Sequence, residues 1–267
     1  MNIGAIIPIR LKSERLPNKA LLEIAGRPVC YHLLDQVCDS KYIRHKRNVV
    51  VCTTTHQSDD TLVDVIHEYG CSVFRGDSDD IIARFYEAMI EFKFDSVIQA
   101  DGDDPLSARE YMDLTMKALL ENPEVDVVTV KGLPLGCATK SFRRRALEKV
   151  RASYLTKKND TGFIYFLTKT GLCDHLELEC SELAHQHETA RLTLDYYEDF
   201  ELFVKIIESI KNGDKPLNLS DVVSFLRRHP NVAASNVHVE KEYWRRTREK
   251  LDLQYRSVDN QILSITI

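Results

Sequence analysis

Ile3-Gly4-Ala5-Ile6-Ile7-Pro8, followed almost at once by Arg10-Leu11-Lys12-Ser13-Glu14-Arg15-Leu16-Pro17-Asn18-Lys19, sets the reading of the whole chain. A short apolar run without polar alternation predicts a strand buried on both faces, and such strands belong to parallel sheets covered by helices. The elements that follow repeat the theme. A helix is expected over residues 28–39 with Pro28 in its first turn, then a strand over 48–53. Ser58 or Asp59 can cap the next helix, whose apolar face is Leu62, Val63, Val65, Ile66 and Tyr69 and which Gly70 stops. Strands over 71–74, 96–100 and 125–130 alternate with helices over 79–92 and 108–121. Strands separated by helices imply right-handed crossovers and a mostly parallel, Rossmann-like α/β sheet with helices on both faces.

In such sheets ligands bind beyond the carboxyl ends of the strands. Residues 10–19, 53–58, 75–80 and 101–105 are thereby neighbours on one rim. Beyond Gly132 the periodicity weakens. A short helix is expected over 146–153, a strand over 162–167, and a strand over 190–194 that feeds a helix over 199–209. The tail, 220–256, reads as two helices, the first capped by Ser220, with Tyr243, Leu251 and Tyr255 suited to covering the core or a partner subunit. Residues 211–220, KNGDKPLNLS, form the best linker candidate.

Composition narrows the function. The chain has 267 residues, enough for one large core, and its 36 basic and 41 acidic side chains sum to −5. No basic excess or stripe marks a nucleic-acid surface. Seven scattered cysteines form no C-x-x-C pair, so reduced thiols in a cytoplasmic protein are expected rather than a disulfide framework or zinc site. No apolar run approaches a membrane span.

Three constellations suit chemistry. The loop 10–19 can aim Arg10, Arg15 and Lys19 at one anion such as a triphosphate, although a solvated basic loop has the same composition. It contains no G-x-x-x-x-G-K-[ST] loop. Gln99-Ala100-Asp101-Gly102-Asp103-Asp104-Pro105 gathers mutually repelling carboxylates at a strand end, an arrangement suited to a hard divalent cation. A capping acidic loop or the D-x-D pattern of metal-dependent glycosyltransferases reads similarly. Ala190-Arg191-Leu192-Thr193-Leu194-Asp195 delivers another acid to the same rim if its strand joins the sheet, while Glu198 and Asp199 suit the following helix start. His185 and His187, lacking a third ligand, read as loop histidines, and Arg143-Arg144-Arg145 as the start of a solvated helix.

Taken in order, Ile6-Ile7-Pro8-x-Arg10, Ser13-x-Arg15-Leu16-Pro17-x-Lys19-x-Leu21 and Gly26-x-Pro28 resemble the opening of the cytidylyltransferases that activate acidic sugars. These include the 3-deoxy-manno-octulosonate and N-acylneuraminate enzymes. Residues 49–54, Val73-Phe74-Arg75-Gly76, Asp80-x-x-x-Arg84-Phe85, Gly102-Asp103-Asp104-Pro105-Leu106 and Arg191-Leu192-Thr193-Leu194-Asp195-x-x-Glu198-Asp199 are similar to the branch containing spore-coat polysaccharide nucleotidyltransferase-like proteins.

The resemblance implies transfer of CMP from CTP to a sugar-acid-like acceptor with release of pyrophosphate, yielding a CMP-sugar for surface polysaccharide or glycan synthesis. It implies that Arg10, Arg15 and Lys19 hold the triphosphate and act in catalysis with Asp103. Pro8, Ile9, Ser13, Thr53, Arg75, Gln99 and Asp101 would line the nucleotide, Arg84 and Arg191 the acceptor, and Asp103 and Asp195 would bind Mg²⁺. It further implies a homodimer and a nucleotidyltransferase domain over 1–210, with an acceptor or dimerisation region at 137–189 and a helical extension over 211–267. Asn18 and Tyr196-Tyr197 depart from the family, which commonly has Gly and Thr-Pro there. The rival readings are a nucleotidyltransferase acting on a sugar 1-phosphate, a D-x-D glycosyltransferase and a non-catalytic nucleotide-binding subunit.

Overall fold

Strand β1, Ile3–Pro8, is an interior strand of a seven-stranded sheet and is buried from Gly4 to Ile7, as a both-faces-covered strand must be. The computed structural model describes residues 1–210, 213 and 215–265. Strands β2 (Val49–Thr54), β3 (Ser72–Gly76) and β4 (Ser96–Gln99) run parallel to β1 in the order β3-β2-β1-β4. The sheet then continues through β5 (Val127–Lys131), β6 (Lys140–Arg143) and β7 (His175–Glu179) in the spatial order β4-β6-β5-β7.

Alternate residues of the same strands feed two cores. Ala5, Ile7, Val49, Val51 and Ile98 meet helices α1 (Val29–Cys38), α2 (Asp60–Tyr69) and α4 (Arg109–Glu121). Ile6, Val50, Cys52 and Val97 meet α3 (Ile81–Glu91), α5 (Arg144–Arg151) and α6 (Phe163–Thr168) on the other face. Period-two alternation in the strands therefore sorts the helices into two layers. A third core packs α7 (Tyr197–Ile210) and α8 (Leu219–Arg228) with Leu192, Leu194 and Val130. The chain ends with α9 (Pro230–Ala233), α10 (Glu240–Lys250) and an antiparallel hairpin of β8 (Gln254–Arg256) and β9 (Ile262–Ser264).

Several expectations are corrected. Strand β6 is antiparallel to both β4 and β5, so it separates two strands that consecutive parallel crossovers would have made neighbours. Residues 162–167 do not form a strand. Gly162, at φ +82°, precedes helix α6, whose buried residues Phe163, Phe166 and Leu167 follow helical spacing. Residues 190–194 make no ladder, and their one bridge joins Arg191 to Leu135, which lies between β5 and β6 outside the strands of the sheet. The tail holds three helices and a hairpin rather than two helices. Of the linker candidate, residues 211, 212 and 214 lie outside the described residues. Among the described residues no helix is long and apolar enough to cross a membrane.

Candidate active site

The loop after β1 is held from beneath. Asp59 accepts the backbone N–H of Leu11 at 2.9 Å, and the same carboxylate takes the hydroxyls of Thr53 at 3.0 Å and Thr54 at 2.5 Å. Burial raises the Asp59 pKa, but these hydrogen bonds outweigh it and the carboxyl sits below its ordinary value. Thr53 is fully buried, so it supports the loop rather than lining open space. Asn18 turns the chain into the 3-10 turn at Lys19–Leu21 with φ +55°. A left-handed residue admits Gly or Asn with little strain, which explains the asparagine there.

That turn brings Lys19 to the acids. Its ammonium donates to Asp103 at 3.1 Å, to Asp195 at 2.9 Å and to the Leu194 carbonyl at 2.6 Å. Burial pulls the Lys19 pKa down, but the two carboxylates outweigh it and hold the group above its ordinary value. Partial burial likewise opposes ionisation of Asp103, and Lys19 overcomes it, leaving that carboxyl depressed. Arg15 donates to the same Asp195 oxygen that accepts from Lys19.

Two close backbone approaches make this convergence possible. Gly102 lies so near the end of β1 that an added Cβ would sit 2.1 Å from the Pro8 carbonyl oxygen and 2.6 Å from Ile9. Gly136, at φ +92°, presses equally close to the Leu192 carbonyl, while Leu192 donates its N–H to Leu135 at 2.7 Å. Leu194 then donates to the Asp103 carbonyl at 2.7 Å, so the 190–195 segment reaches the rim without belonging to a ladder.

Asp195 is fixed from behind. Arg191, 1% exposed, donates to Asp199 through Nε at 3.0 Å and to Asp195 through Nη2 at 3.4 Å. Asp199 also accepts the N–H groups of Asp195 and Tyr196, both at 2.9 Å, reaching back from the first turn of α7 in capping-box fashion. Asn236 completes the network by donating to Asp199 at 2.7 Å. Arg191, which the resemblance makes an acceptor contact, is therefore buried against Asp195 and Asp199 and holds Asp195 in place.

The remaining residues distribute as follows. Asp101 and Asp103 face different cations. Asp101 accepts from Lys140 at 2.5 Å and from Gln99 at 2.8 Å. Lys140 stands on β6 opposite Gln99, a position that only the antiparallel register supplies. Asp104 is buried, and burial together with Asp103 and Asp101 pushes its carboxyl well above its ordinary value. Arg10 pairs with Asp160 at 2.5 Å. Arg84 is 3% exposed and donates to the Asp77 carbonyl at 2.9 Å rather than to Asp80 on its own helix. Arg75 shapes the following rim loop through Asp60 and the carbonyls of Thr54 and His56. Ser13 accepts the Leu16 N–H at 3.4 Å, closing the basic loop on itself, and Ile9 is buried.

Two other motifs settle into structural roles. Arg143 is buried and donates to the carbonyls of Leu119, Asn122 and Val125, and Arg145 pairs with buried Asp126. His185 packs its ring against Tyr111 and hydrogen-bonds its hydroxyl at 3.0 Å. Sequence reasoning missed Lys140, Asp160 and Asn236. Only tertiary topology brings them in.

A basic loop on a parallel-sheet rim thus faces two carboxylates that share one lysine. Residues 4–212 match the family model described as cytidylyltransferase, and the chain belongs to that family. It is 30% identical to an uncharacterized protein of Methanocaldococcus jannaschii over 252 residues, 93% of this chain and 100% of that one. The 3-deoxy-manno-octulosonate cytidylyltransferase of Francisella philomiragia is 33% identical over 135 residues, which are 49% of this chain and 51% of that enzyme. The spore coat polysaccharide biosynthesis protein SpsF of Bacillus subtilis is 26% identical over 239 residues, 85% and 95% of the two chains. The fold is shared with a cytidylyltransferase structure from Leptospira borgpetersenii at a TM-score of 0.78 and 24% identity, covering 87% of this chain and 97% of that one.

Proposed function

We propose that the protein transfers CMP from CTP to the hydroxyl of a sugar-acid-like acceptor, releasing pyrophosphate. The observation that supports it most is the meeting of Asp103 and Asp195, from segments 92 positions apart (195 − 103), on the single Lys19 ammonium beside Arg15. Names of relatives agree, since two of them denote a sugar-acid cytidylyltransferase and a polysaccharide biosynthesis protein.

Arg10, Arg15 and Lys19 bind the triphosphate and offset its charge so that an anionic acceptor can approach. Lys19, its pKa raised, remains an ammonium at neutral pH, and Asp103, depressed, remains a carboxylate. The acceptor oxygen attacks the α-phosphorus in line and pyrophosphate departs, with no covalent enzyme intermediate. Asp103 and Asp195 fit Mg²⁺, being hard oxygen donors that already converge on one cation. When bound, that ion polarises phosphoryl oxygens and lowers the acceptor hydroxyl's pKa. Among the described residues no three His, Cys, Asp or Glu side chains form a metal-binding group, so phosphates and water would complete its shell. The separate pairing of Asp101 with Lys140 argues against a D-x-D metal clamp of the glycosyltransferase kind.

The test is pyrophosphate release with Mg²⁺, offering CTP, GTP, UTP and ATP against sugar acids and sugar phosphates, with product mass as the second readout. CTP with a sugar acid should give a nucleoside monophosphate conjugate. A diphosphate conjugate formed only from a sugar phosphate would contradict the acceptor assignment.

A further inference from the structure

Helix α10 lies beyond the residues that match the family, yet its Tyr243 reaches the two arginines that flank Asp195. Its Tyr243 is half-buried with its ring facing two arginine side chains. The Arg191 guanidinium is 4.3 Å from the ring centroid and that of Arg15 is 5.8 Å away. Tyr196 flanks the same two cations at 5.3 and 5.9 Å, and its buried hydroxyl has no hydrogen-bond partner among the described residues. Burial, and then the negative charges of Asp103, Asp195 and Asp104, push the Tyr243 phenol up. The phenol therefore stands in the field of the proposed metal-binding carboxylates.

The chain after Tyr243 is anchored to the basic loop and to the segment around residues 153–162. Lys250 reaches Glu14 of the basic loop at 3.7 Å. Leu251 and Leu253 close on Gly162, where an added Cβ would meet Leu251 at 2.3 Å. Thr156 donates to the Asp252 carbonyl at 2.9 Å, Leu155 to the Gln254 carbonyl at 2.8 Å and Arg256 to the Ser153 carbonyl at 2.8 Å. These bonds tie the tail to the segment that carries Asp160, the partner of Arg10. The strap thus spans the rim from Asp195 to Arg10.

We propose that Tyr243 is a specificity-determining residue, closing the α10 side of the Asp103–Asp195 site so that water does not reach the α-phosphorus in the acceptor's place. The inference rests on the cytidylyltransferase reading. In the side reaction that the ring suppresses, a water oxygen bonds to the α-phosphorus of CTP and the bond to the pyrophosphate oxygen breaks. CMP and pyrophosphate result, and the water's protons go to solvent. Excluding water from a phosphoryl-transfer site prevents this loss.

Full-length wild type, Tyr243→Ala and Tyr243→Phe are compared with Mg²⁺ and CTP alone, without any acceptor. Tyr243→Ala is expected to bind Mg·CTP within about three-fold of wild type by calorimetry and to release CMP about ten-fold faster. Tyr243→Phe, which keeps the ring, is expected to show less than about a third of that increase. Equal binding with an unchanged rate of CMP release in Tyr243→Ala overturns the inference.

A second readout needs no variant. Trp244 is the chain's one tryptophan and packs edge-on against Tyr243 at 5.1 Å. When the triphosphate draws Arg15 away from Tyr243, Trp244 emission should change on adding Mg·CTP. Calorimetric binding with unaltered emission counts equally against the inference. Failure of wild type to bind Mg·CTP would instead overturn the cytidylyltransferase reading, a result that calorimetry distinguishes from the other two.

Discussion

The first 132 residues and the remainder build the same rim in different ways. In the first part, each contribution follows a buried strand directly. Arg15 and Lys19 come after β1, the Thr53 and Thr54 hydroxyls end β2, and Asp103 comes after β4. In the second part Asp195 arrives on a segment outside the sheet ladder, Lys140 through an antiparallel strand and Tyr243 on a helix near the end of the chain. The first set is positioned by local sequence, whereas the second depends on long-range packing. Substitutions should separate the two.

The largest stability effect is expected in the second region. Arg191→Met removes the buried cation that Asp195 and Asp199 share, leaving carboxylates that are 1% and 0% exposed. Breaking a buried pair from one side costs about 3–5 kcal/mol, measurable by urea unfolding. A loss below about 1 kcal/mol would mean that Asp195 is held by the Lys19 side alone.

Next is Gly102→Ala, in the first region. Its Cβ would press on backbone at the end of β1, and overpacking of this kind costs about 1–3 kcal/mol. Lys19 depends on Asp103 remaining where Gly102 puts it, so CTP affinity should fall together with stability.

Smaller still, Asn18→Val should cost about 1–2 kcal/mol because a β-branched residue is strained at φ +55°. Asn18→Gly should stay within about 0.5 kcal/mol of wild type. Equal losses in both would show that the asparagine acts through its side chain and not its backbone.

The pH dependence is the mildest of these effects. Lys19, with its folded pKa raised, contributes stability that is full below its ordinary 10.5 and lost as pH rises through the folded value. Asp103, with its folded pKa lowered, contributes stability present above 3.8 and lost as pH falls through the folded value. The difference in melting temperature between wild type and Lys19→Met should therefore be flat from about pH 5 to 9. It should shrink below about pH 4.

The contrast between the regions also governs what could be read from the residues alone. Through residue 132, apolar strands and amphipathic helices alternate with clear periods, and the strands and helices of the structure follow that reading. The basic loop and the acids after β4 were legible because parallel-sheet geometry places loop residues from sequence position. Strand β6, Lys-Ser-Phe-Arg, is too short to show alternation, so Lys140 had no signal. Gly162-Phe-Ile-Tyr-Phe-Leu is rich in aromatic and branched residues and imitates a strand. Its helical identity lies in the burial of positions 163, 166 and 167, which a short window does not resolve. Arg191 sits in a motif that resembles an acceptor contact, but its burial behind Asp195 follows from Asp199 and Asn236 and is visible only in three dimensions.

The most direct test of whether the two regions form one catalytic centre is a double-mutant cycle between Asp103→Asn and Asp195→Asn. Calorimetry would follow CTP binding with and without Mg²⁺. If both acids serve one ion, either substitution alone abolishes the Mg²⁺-dependent gain in CTP affinity, and the double substitution removes nothing more. Independent losses that add, or a Mg²⁺ gain that survives Asp195→Asn, would contradict the account.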